Sequence, residues 1–334
     1  MARAALRVGV VGYGAIGRHH ARVLAQRDDV DFAGIVDPSP VARQAAEALG
    51  MRAFASTEAL LATGLDAAVV AVPTSLHESV ADPLFDRGCA VLVEKPLAQS
   101  LLAAKRLVAR AERAGAALMV GYVERYNPAI EALRDFIADG CLGHIVNISA
   151  RRVGALPPRV KDADVLVDIG VHDIDVVAFI TGVRRIHLIA ARGGMALLED
   201  RLDHATMLLD AAGTVVTIET NWITPVKVRE LSLTGTKGYC RVDYITQDAW
   251  FAPGRSFEPA ATYEALVAQY AEGTLVKLPV VKQEPLAREL DVFLNGVRGA
   301  ALPDPHIALA SLRLAEEASG AILSSFAAKR ERSA

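Results

Sequence analysis

The apolar run Leu6–Val11 ends in Gly12-Tyr13-Gly14-Ala15-Ile16-Gly17, and a helical pattern over Ile16–Arg27 starts inside that turn. A strand that passes into a helix across Gly-x-Gly-x-x-Gly leaves few folds open. The first glycine permits a tight turn, the second lets backbone approach a pyrophosphate, and the third lets helix and strand pack closely. The helix start adds unpaired N–H groups and the positive end of its dipole. The whole turn from Gly12 to Gly17, with Tyr13, Ala15 and Ile16, is therefore read as a dinucleotide loop. Asp37 ends the next apolar run, twenty residues after Gly17, where a carboxylate can accept from ribose hydroxyls. Pro38-Ser39-Pro40 follow it without a cation. A 2′-phosphate would meet an acid alone, so NAD is expected rather than NADP.

Up to Tyr122, short apolar runs alternate with helical patterns. Strands are predicted at Leu6–Val11, Asp31–Val36, Ala67–Val72, Ala90–Val93 and Leu118–Gly121. Helices are predicted near Ile16–Arg27, Pro40–Leu49, Leu76–Arg87 and Leu101–Ala114. The strand runs do not alternate, as expected where both faces are buried, and the β-α-β order implies a doubly wound parallel sheet. Beyond Tyr122 the pattern changes. Asn127 can cap a helix that has Pro128 in its first position. A strand at Ile145–Val153 and a helix from about Val165 to Thr181 follow. Further strands are predicted at Arg185–Arg192, His204–Leu209, Thr214–Asn221, Val228–Thr234 and Gly238–Tyr244, separated in part by hairpin-like turns. Helices near Glu284–Val297 and His306–Ala328 close the chain. The expected organisation is an α/β Rossmann domain over residues 1–122. An α+β domain with a large, mostly antiparallel sheet follows over 123–334, its final helices free to pack back on the first domain.

The 334 residues, 52% hydrophobic and 22% charged, suit a soluble globular enzyme. Lys and Arg number 36 against 39 Asp and Glu, which argues against a nucleic-acid partner. No apolar run reaches the roughly 18 residues of a membrane span, and Met1–Arg7 lead directly into a strand without a signal-peptide pattern. Cys89, Cys141 and Cys240 are too scattered for a disulfide framework or a ligand set. They are read as buried or half-buried thiols in a cytoplasmic protein, and no metal is expected.

Glu94-Lys95-Pro96 stands at the end of the Ala90–Val93 strand, where ligands bind in open α/β sheets. Burying an ammonium is costly unless it is paired, so a lysine facing such a crevice invites a role. It can hydrogen-bond a substrate hydroxyl and favour its ionisation. Glu94 is the nearest acid in sequence, although adjacent strand residues point to opposite faces. Asp168 and His172 lie four apart on a predicted helix, with Asp175 three further on. A histidine held beside a carboxylate can take a hydroxyl proton as hydride leaves. Each residue also has a plainer reading, Lys95 as a turn lysine and Asp168 as a helix cap. The choice between Lys95 and His172 as proximate base stays open.

Taken together the motifs resemble the Gfo/Idh/MocA oxidoreductases from end to end. The landmarks are Gly12 to Gly17, Pro73-Thr74-Ser75-Leu76-His77, Glu94-Lys95-Pro96, Val120-Gly121-Tyr122 through Asn127-Pro128, and Asp168-x-Gly170-x-His172-x-x-Asp175. The resemblance implies Lys95, Asp168 and His172 as the catalytic set, with Pro73, Thr74, His77, Glu94 and Lys95 at the cofactor. It also implies an open sheet face that pairs subunits, in a homodimer or homotetramer. A narrower likeness covers Val123–Pro128, Ser149–Gly154, Asp168–Asp175 and Asn221–Arg229. It is to the branch that oxidises the 3-hydroxyl of UDP-N-acetylglucosamine, whose 3-keto product an aminotransferase can consume. Glu124, Arg125, Asn127, Arg151, Arg159 and Asp175 are then substrate-site candidates. Arg151, Arg152, Arg159, Lys227 and Arg229 supply cations for a diphosphate. Trp222 can stack on a ring or pack within the sheet, the packing role being favoured. The alternatives are a dehydrogenase of inositol or another free sugar or cyclitol, and an enzyme that keeps its NAD bound through two half-reactions. A third is an NAD-sensing regulator, which would be expected to lack the lysine or the histidine.

Overall fold

A computed structural model describes residues 5–156, 163–254, 262–264, 267 and 274–333, with side chains to Phe326. The chain divides into two units, Met1–Val123 with Glu284–Arg313, and Glu124–Gln283 with Leu314–Ala334.

In the first unit six parallel strands run in the order β3-β2-β1-β4-β5-β6. They are β1 (Leu6–Val11), β2 (Val30–Val36), β3 (Ala53–Phe54), β4 (Ala67–Val70), β5 (Ala90–Glu94) and β6 (Leu118–Gly121). Every residue of β4 and β5 is buried, which is why these runs carry no alternation. The connecting helices are α1 (Ala15–Ala25), α2 (Pro40–Glu47), α3 (Thr57–Leu61), α4 (His77–Asp86) and α5 (Leu101–Ala114). The strand order reverses between β1 and β4, so the loops that leave these strands form the switch point where such sheets bind ligands. Sequence patterns pass over β3 and α3. Two residues are too few for a period, and the five of α3 begin at a local cap in which Ser56 Oγ accepts from Ala59 N at 3.3 Å. The helix α8 (Pro285–Val297) packs against α1, with Arg27 and Asp291 paired at 2.5 Å and Arg298 and Asp29 at 2.9 Å. These pairs are part-exposed and contribute at most about 1 kcal/mol each.

The second unit holds eight strands in the order β14-β13-β12-β11-β7-β10-β9-β8. They are β7 (Ile145–Val153), β8 (His187–Gly194), β9 (His204–Ala211), β10 (Thr214–Asn221), β11 (Val228–Gly235), β12 (Gly238–Asp243), β13 (Asp248–Pro253) and β14 (Val276–Lys277). All neighbours are antiparallel except β7 and β10, which pair parallel. Ile148, Ala150 and Arg152 of β7, with Val216 and Ile218 of β10, are buried on one face. On the other face Arg151 pairs with Glu219 at 2.9 Å, among residues that include Val215 and Tyr239. The helix α6 (Pro128–Ala138) starts at Asn127, whose Oδ1 accepts from Ala129 N at 3.2 Å, and it packs on β12 and β13. The helix predicted over Val165–Thr181 is divided, with a π-helical turn at Leu166–Gly170 followed by α7 (Val171–Thr181). Gly182, at φ +69°, ends α7 in the left-handed conformation that glycine adopts without strain. The last helix, α9 (His306–Ser333), passes from the first unit into the second at Arg313 and Leu314. Cys89 and Cys240 are buried, but Cys141, expected to be at least half-buried, is exposed beside the turn that follows α6. Among the described residues no helix is long and apolar enough to cross a membrane.

Candidate functional site

The three glycines of the opening turn do three different things. Gly12 adopts φ +97°, and a Cβ there would lie 2.5 Å from Ala71 O. A Cβ on Gly17 would stand 2.0 Å from Gly12 O, so only glycine lets α1 close on the strand. A Cβ on Gly14 would meet nothing within 4 Å. That open approach, at the N-cap of a helix that has no side-chain cap, fits a pyrophosphate held by backbone N–H groups. Tyr13 is buried, and its N–H donates to Asp37 Oδ2 at 2.9 Å, while Ser39 N donates to Oδ1 at 2.9 Å. Arg18 Nε donates to Tyr13 O at 3.2 Å with its guanidinium over the Tyr13 ring. Ala15 and Ile16 form the exposed first turn of α1. Asp37 is not without a cation, because the first turn of α2 returns Arg43, whose Nη1 donates to Asp37 O at 2.8 Å and Pro38 O at 2.9 Å.

The loops after β4 and β5 are tied together. Pro73 and Thr74 lead a short 3₁₀ turn, Thr74–Leu76, into α4 at His77. The His77 ring is buried, with Nδ1 3.1 Å from Leu97 O and Nε2 3.1 Å from Val72 O. Burial lowers its pKa, outweighing the carbonyls that would favour the cation. Glu94, the last residue of β5, turns inward as strand alternation requires. Its Oε1 lies 2.7 Å from Nε2 of the buried His20, and its Oε2 accepts from Lys95 N at 3.1 Å. The Lys95–Pro96 peptide is cis, and the Lys95 side chain is half-buried.

In the second unit, Asp164 organises the start of the π turn. Its Oδ1 accepts from Leu166 N and Val167 N at 2.9 and 3.0 Å, and Ser319 Oγ of α9 donates to Oδ2 at 2.6 Å. A π turn closes i→i+5 bonds. The four-residue step from Asp168 to His172 therefore crosses a widened turn rather than a regular helical face. Asp168 is buried and His172 half-buried.

Two buried carboxylates follow His172. Asp173 accepts from Arg152 Nε and Nη2 at 2.8 and 2.9 Å, and Arg152 Nη1 reaches Glu124 Oε1 at 2.7 Å. Asp175 is held by Arg125, whose Nε donates at 2.6 Å and whose Nη2 donates to the second oxygen. Burial works against the Arg152 cation, but Asp173 and Glu124 hold its pKa well above the ordinary range. Burial also raises both aspartate pKa values, which their arginine partners counter. Since Asp173 and Asp175 lie about 200° apart around a helix, α7 is gripped from two sides. Arg229 has its pKa lowered to about 10, by burial first and then by the charge of Arg152. Its Nη1 donates to Val153 O and Val228 O at 2.6 and 2.8 Å.

The other substrate candidates separate. Glu124, Arg125 and Asp175 are brought to α7, and Asn127 caps α6 while donating to Tyr244 O at 3.0 Å. Arg151, one residue from Arg152, lies on the opposite sheet face with Glu219. Arg159 lies outside the described residues. Trp222 is buried in the unit. His20, Arg43 and Asp164 belong to no motif that the sequence reading picks out. The inward spacing of Gly17, His20, Ala21 and Leu24 along α1 is the available signal for the first of them.

Residues 6–122 match the model of an oxidoreductase family with an NAD-binding Rossmann fold, and residues 130–241 match the Gfo/Idh/MocA C-terminal domain. UDP-N-acetylglucosamine 3-dehydrogenase of Acidithiobacillus ferrooxidans is 30% identical over 301 residues, spanning 87% of this chain and 88% of its own. A solved structure of that enzyme superposes with a TM-score of 0.81 at 26% identity, covering 95% of this chain and 98% of the other. Inositol 2-dehydrogenase of Corynebacterium glutamicum is 30% identical over 185 residues, 54% of this chain and 55% of its own. The glycine turn, the parallel sheet and the likeness to the Acidithiobacillus enzyme over 87% of the chain agree, and the chain belongs to the Gfo/Idh/MocA family of NAD-binding oxidoreductases.

Proposed function

We propose that this oxidoreductase oxidises a secondary hydroxyl of a sugar nucleotide, namely the 3-hydroxyl of UDP-N-acetylglucosamine, to the ketone. The observation that carries this reading is the extent of likeness. The UDP-N-acetylglucosamine 3-dehydrogenase aligns over 87% of the chain, whereas the inositol dehydrogenase aligns over 54%. An alignment over 87% of the chain necessarily takes in most of the second unit, which would recognise the sugar, whereas one over 54% need not.

NAD, when bound, supplies the hydride acceptor. Residues 1–122 hold it, with the Gly12–Gly17 turn at the pyrophosphate, Asp37 at the ribose, and Pro73, Thr74 and His77 shaping the loop beside it. Lys95 hydrogen-bonds the substrate hydroxyl and favours its ionisation. His172 takes the proton, and Asp168 orients it. Residues 123–334 bind substrate and, through the open sheet face, pair copies into a homodimer or homotetramer. Arg125 and Asp175 act by framing α7 rather than by offering free charge, since each holds the other. Arg229 and Arg159 are the proposed partners of the diphosphate.

The test is an absorbance assay for NADH with UDP-N-acetylglucosamine, its uronate, inositol and glucose, each with and without an aminotransferase that removes the ketone. NADH should form with the sugar nucleotide and increase with the trap. Signal from inositol alone would overturn the substrate in favour of a cyclitol dehydrogenase. Free NADH accumulating with the first substrate separates release from recycling in place.

A further inference from the structure

Beneath Lys95 the first unit buries a cluster that the proposed chemistry does not use. His20 on α1 and Glu289 on α8 are fully buried, and Glu94 nearly so. Ligand atoms of the three lie within 4.8 Å of one another. Carboxylates taken out of water need a partner, and the imidazole of His20 supplies one to Glu94 at 2.7 Å. Two ligands on a tetrahedral zinc ion would stand roughly 3.4 Å apart, so that contact is a hydrogen bond rather than the edge of a metal site.

The two oxygens of Glu94 do different work. Oε1 meets His20 on the helix that carries the dinucleotide turn, and Oε2 accepts the backbone N–H of Lys95 at 3.1 Å. Gly121 is the cross-strand neighbour of Glu94, and a Cβ there would press on its carboxyl group at 3.2–3.3 Å. The missing side chain at 121 is thus what leaves room for the carboxylate. One buried group joins α1 directly to the main chain of the lysine.

We propose that Glu94 and His20 are positioning residues for Lys95, fixing its backbone against α1 so that the lysine is aimed by the same helix that binds the cofactor. The proposal rests on the reading that Lys95 acts on the substrate hydroxyl, and it takes Glu94, whose two oxygens are engaged by His20 and Lys95 N, to act through Lys95 rather than on the cofactor.

The experiment compares Glu94→Ala, Glu94→Gln, His20→Gln and Gly121→Ala with wild type and Lys95→Ala. It reads kcat, KM, NADH affinity by fluorescence, and amide exchange of the peptide containing Lys95. Glu94→Ala should lower kcat by about 10- to 100-fold, the scale of a misplaced catalytic group, with NADH affinity changed by less than about threefold. Glu94→Gln keeps an oxygen toward Lys95 N–H and should recover most of that loss. His20→Gln and Gly121→Ala should fall between them, again in kcat rather than in affinity. In wild type NADH should slow exchange at Lys95, and Glu94→Ala should bind NADH yet lose that slowing.

If kcat in Glu94→Ala stays within about twofold of wild type, the proposal is overturned. A parallel fall of kcat and NADH affinity in every variant also overturns it, because that is ordinary destabilisation. Should the alanine variant fail to fold, His20→Gln with unchanged kcat and unchanged exchange overturns the proposal in its place. The Lys95→Ala arm separates the two claims. Turnover surviving there removes the role of Lys95 itself, whereas its loss there with full activity in Glu94→Ala removes only the positioning role.

Discussion

The dinucleotide turn and the charged helix α7 show two ways in which a chain builds a site. At the turn the work is done by backbone. Gly12 and Gly17 leave no room for a Cβ, and Gly14 faces open space. Those demands are local, and they write themselves into six consecutive residues. Around α7 the work is done by side chains drawn from afar. Arg125 and Asp175 are 50 residues apart, and Arg152 and Asp173 are 21 apart. A backbone-made site is therefore sensitive to added atoms, whereas a side-chain-made site is sensitive to lost charges.

That contrast can be broken by substitution. The largest effect is expected at Gly17→Ala, since a Cβ 2.0 Å from a carbonyl oxygen cannot be accommodated without moving α1. NADH binding should be lost, and binding by calorimetry near wild-type strength would refute the packing role. Next comes Asp173→Ala, which removes both hydrogen bonds of the buried pair and leaves Arg152 with Glu124 alone. Unfolding in denaturant should show a loss of about 3–5 kcal/mol, the usual cost of breaking a buried pair. Arg151→Ala, one residue from Arg152 but on the exposed face, should change stability by less than about 0.5 kcal/mol. Equal losses at Asp173 and Arg151 would erase the distinction between the two faces.

Smaller effects sharpen the picture of the cofactor loops. Asp37→Ala should weaken NAD binding by about tenfold, or 1.4 kcal/mol, and narrow the preference over NADP. Arg43→Ala in that background should widen it again, by removing the cation the structure brings to this corner. Kinetics with both cofactors check this. His77 provides a pH-dependent term. Its folded pKa lies below the ordinary 6.5, so the unfolded chain binds the proton more readily. The stability from His77 is present above 6.5 and is lost as pH falls from there toward the lowered folded value. Melting temperature should therefore fall with acidification more steeply in wild type than in His77→Gln.

Much of the first unit can be read from residues alone. Strands β1 and β6 and helix α5 fall on the predicted boundaries, because continuous apolar runs and a left-handed glycine cap at Gly115 are local signals. The two-residue β3 and five-residue α3 carry no period to detect. In the second unit the predicted hairpin strands are present, but β13 and β14 lie outside the predicted set, and β14 again is only two residues long. The π turn is unreadable because an i→i+5 ladder has no composition of its own. Strand alternation does separate Arg151 from Arg152, whose inward neighbours Ile148 and Ala150 are plainly apolar. The absence of a cation beside Asp37 fails as an inference because helical return brings Arg43 back to a carbonyl six residues earlier.

The role of Lys95 is tested most directly by Lys95→Ala, measured for NADH affinity and for turnover of UDP-N-acetylglucosamine with the ketone trapped. Cofactor binding should stay near the wild-type value and turnover fall by about a thousandfold, the scale of losing a donor to the developing oxyanion. Turnover within about tenfold of wild type, with NADH still bound, would contradict that role.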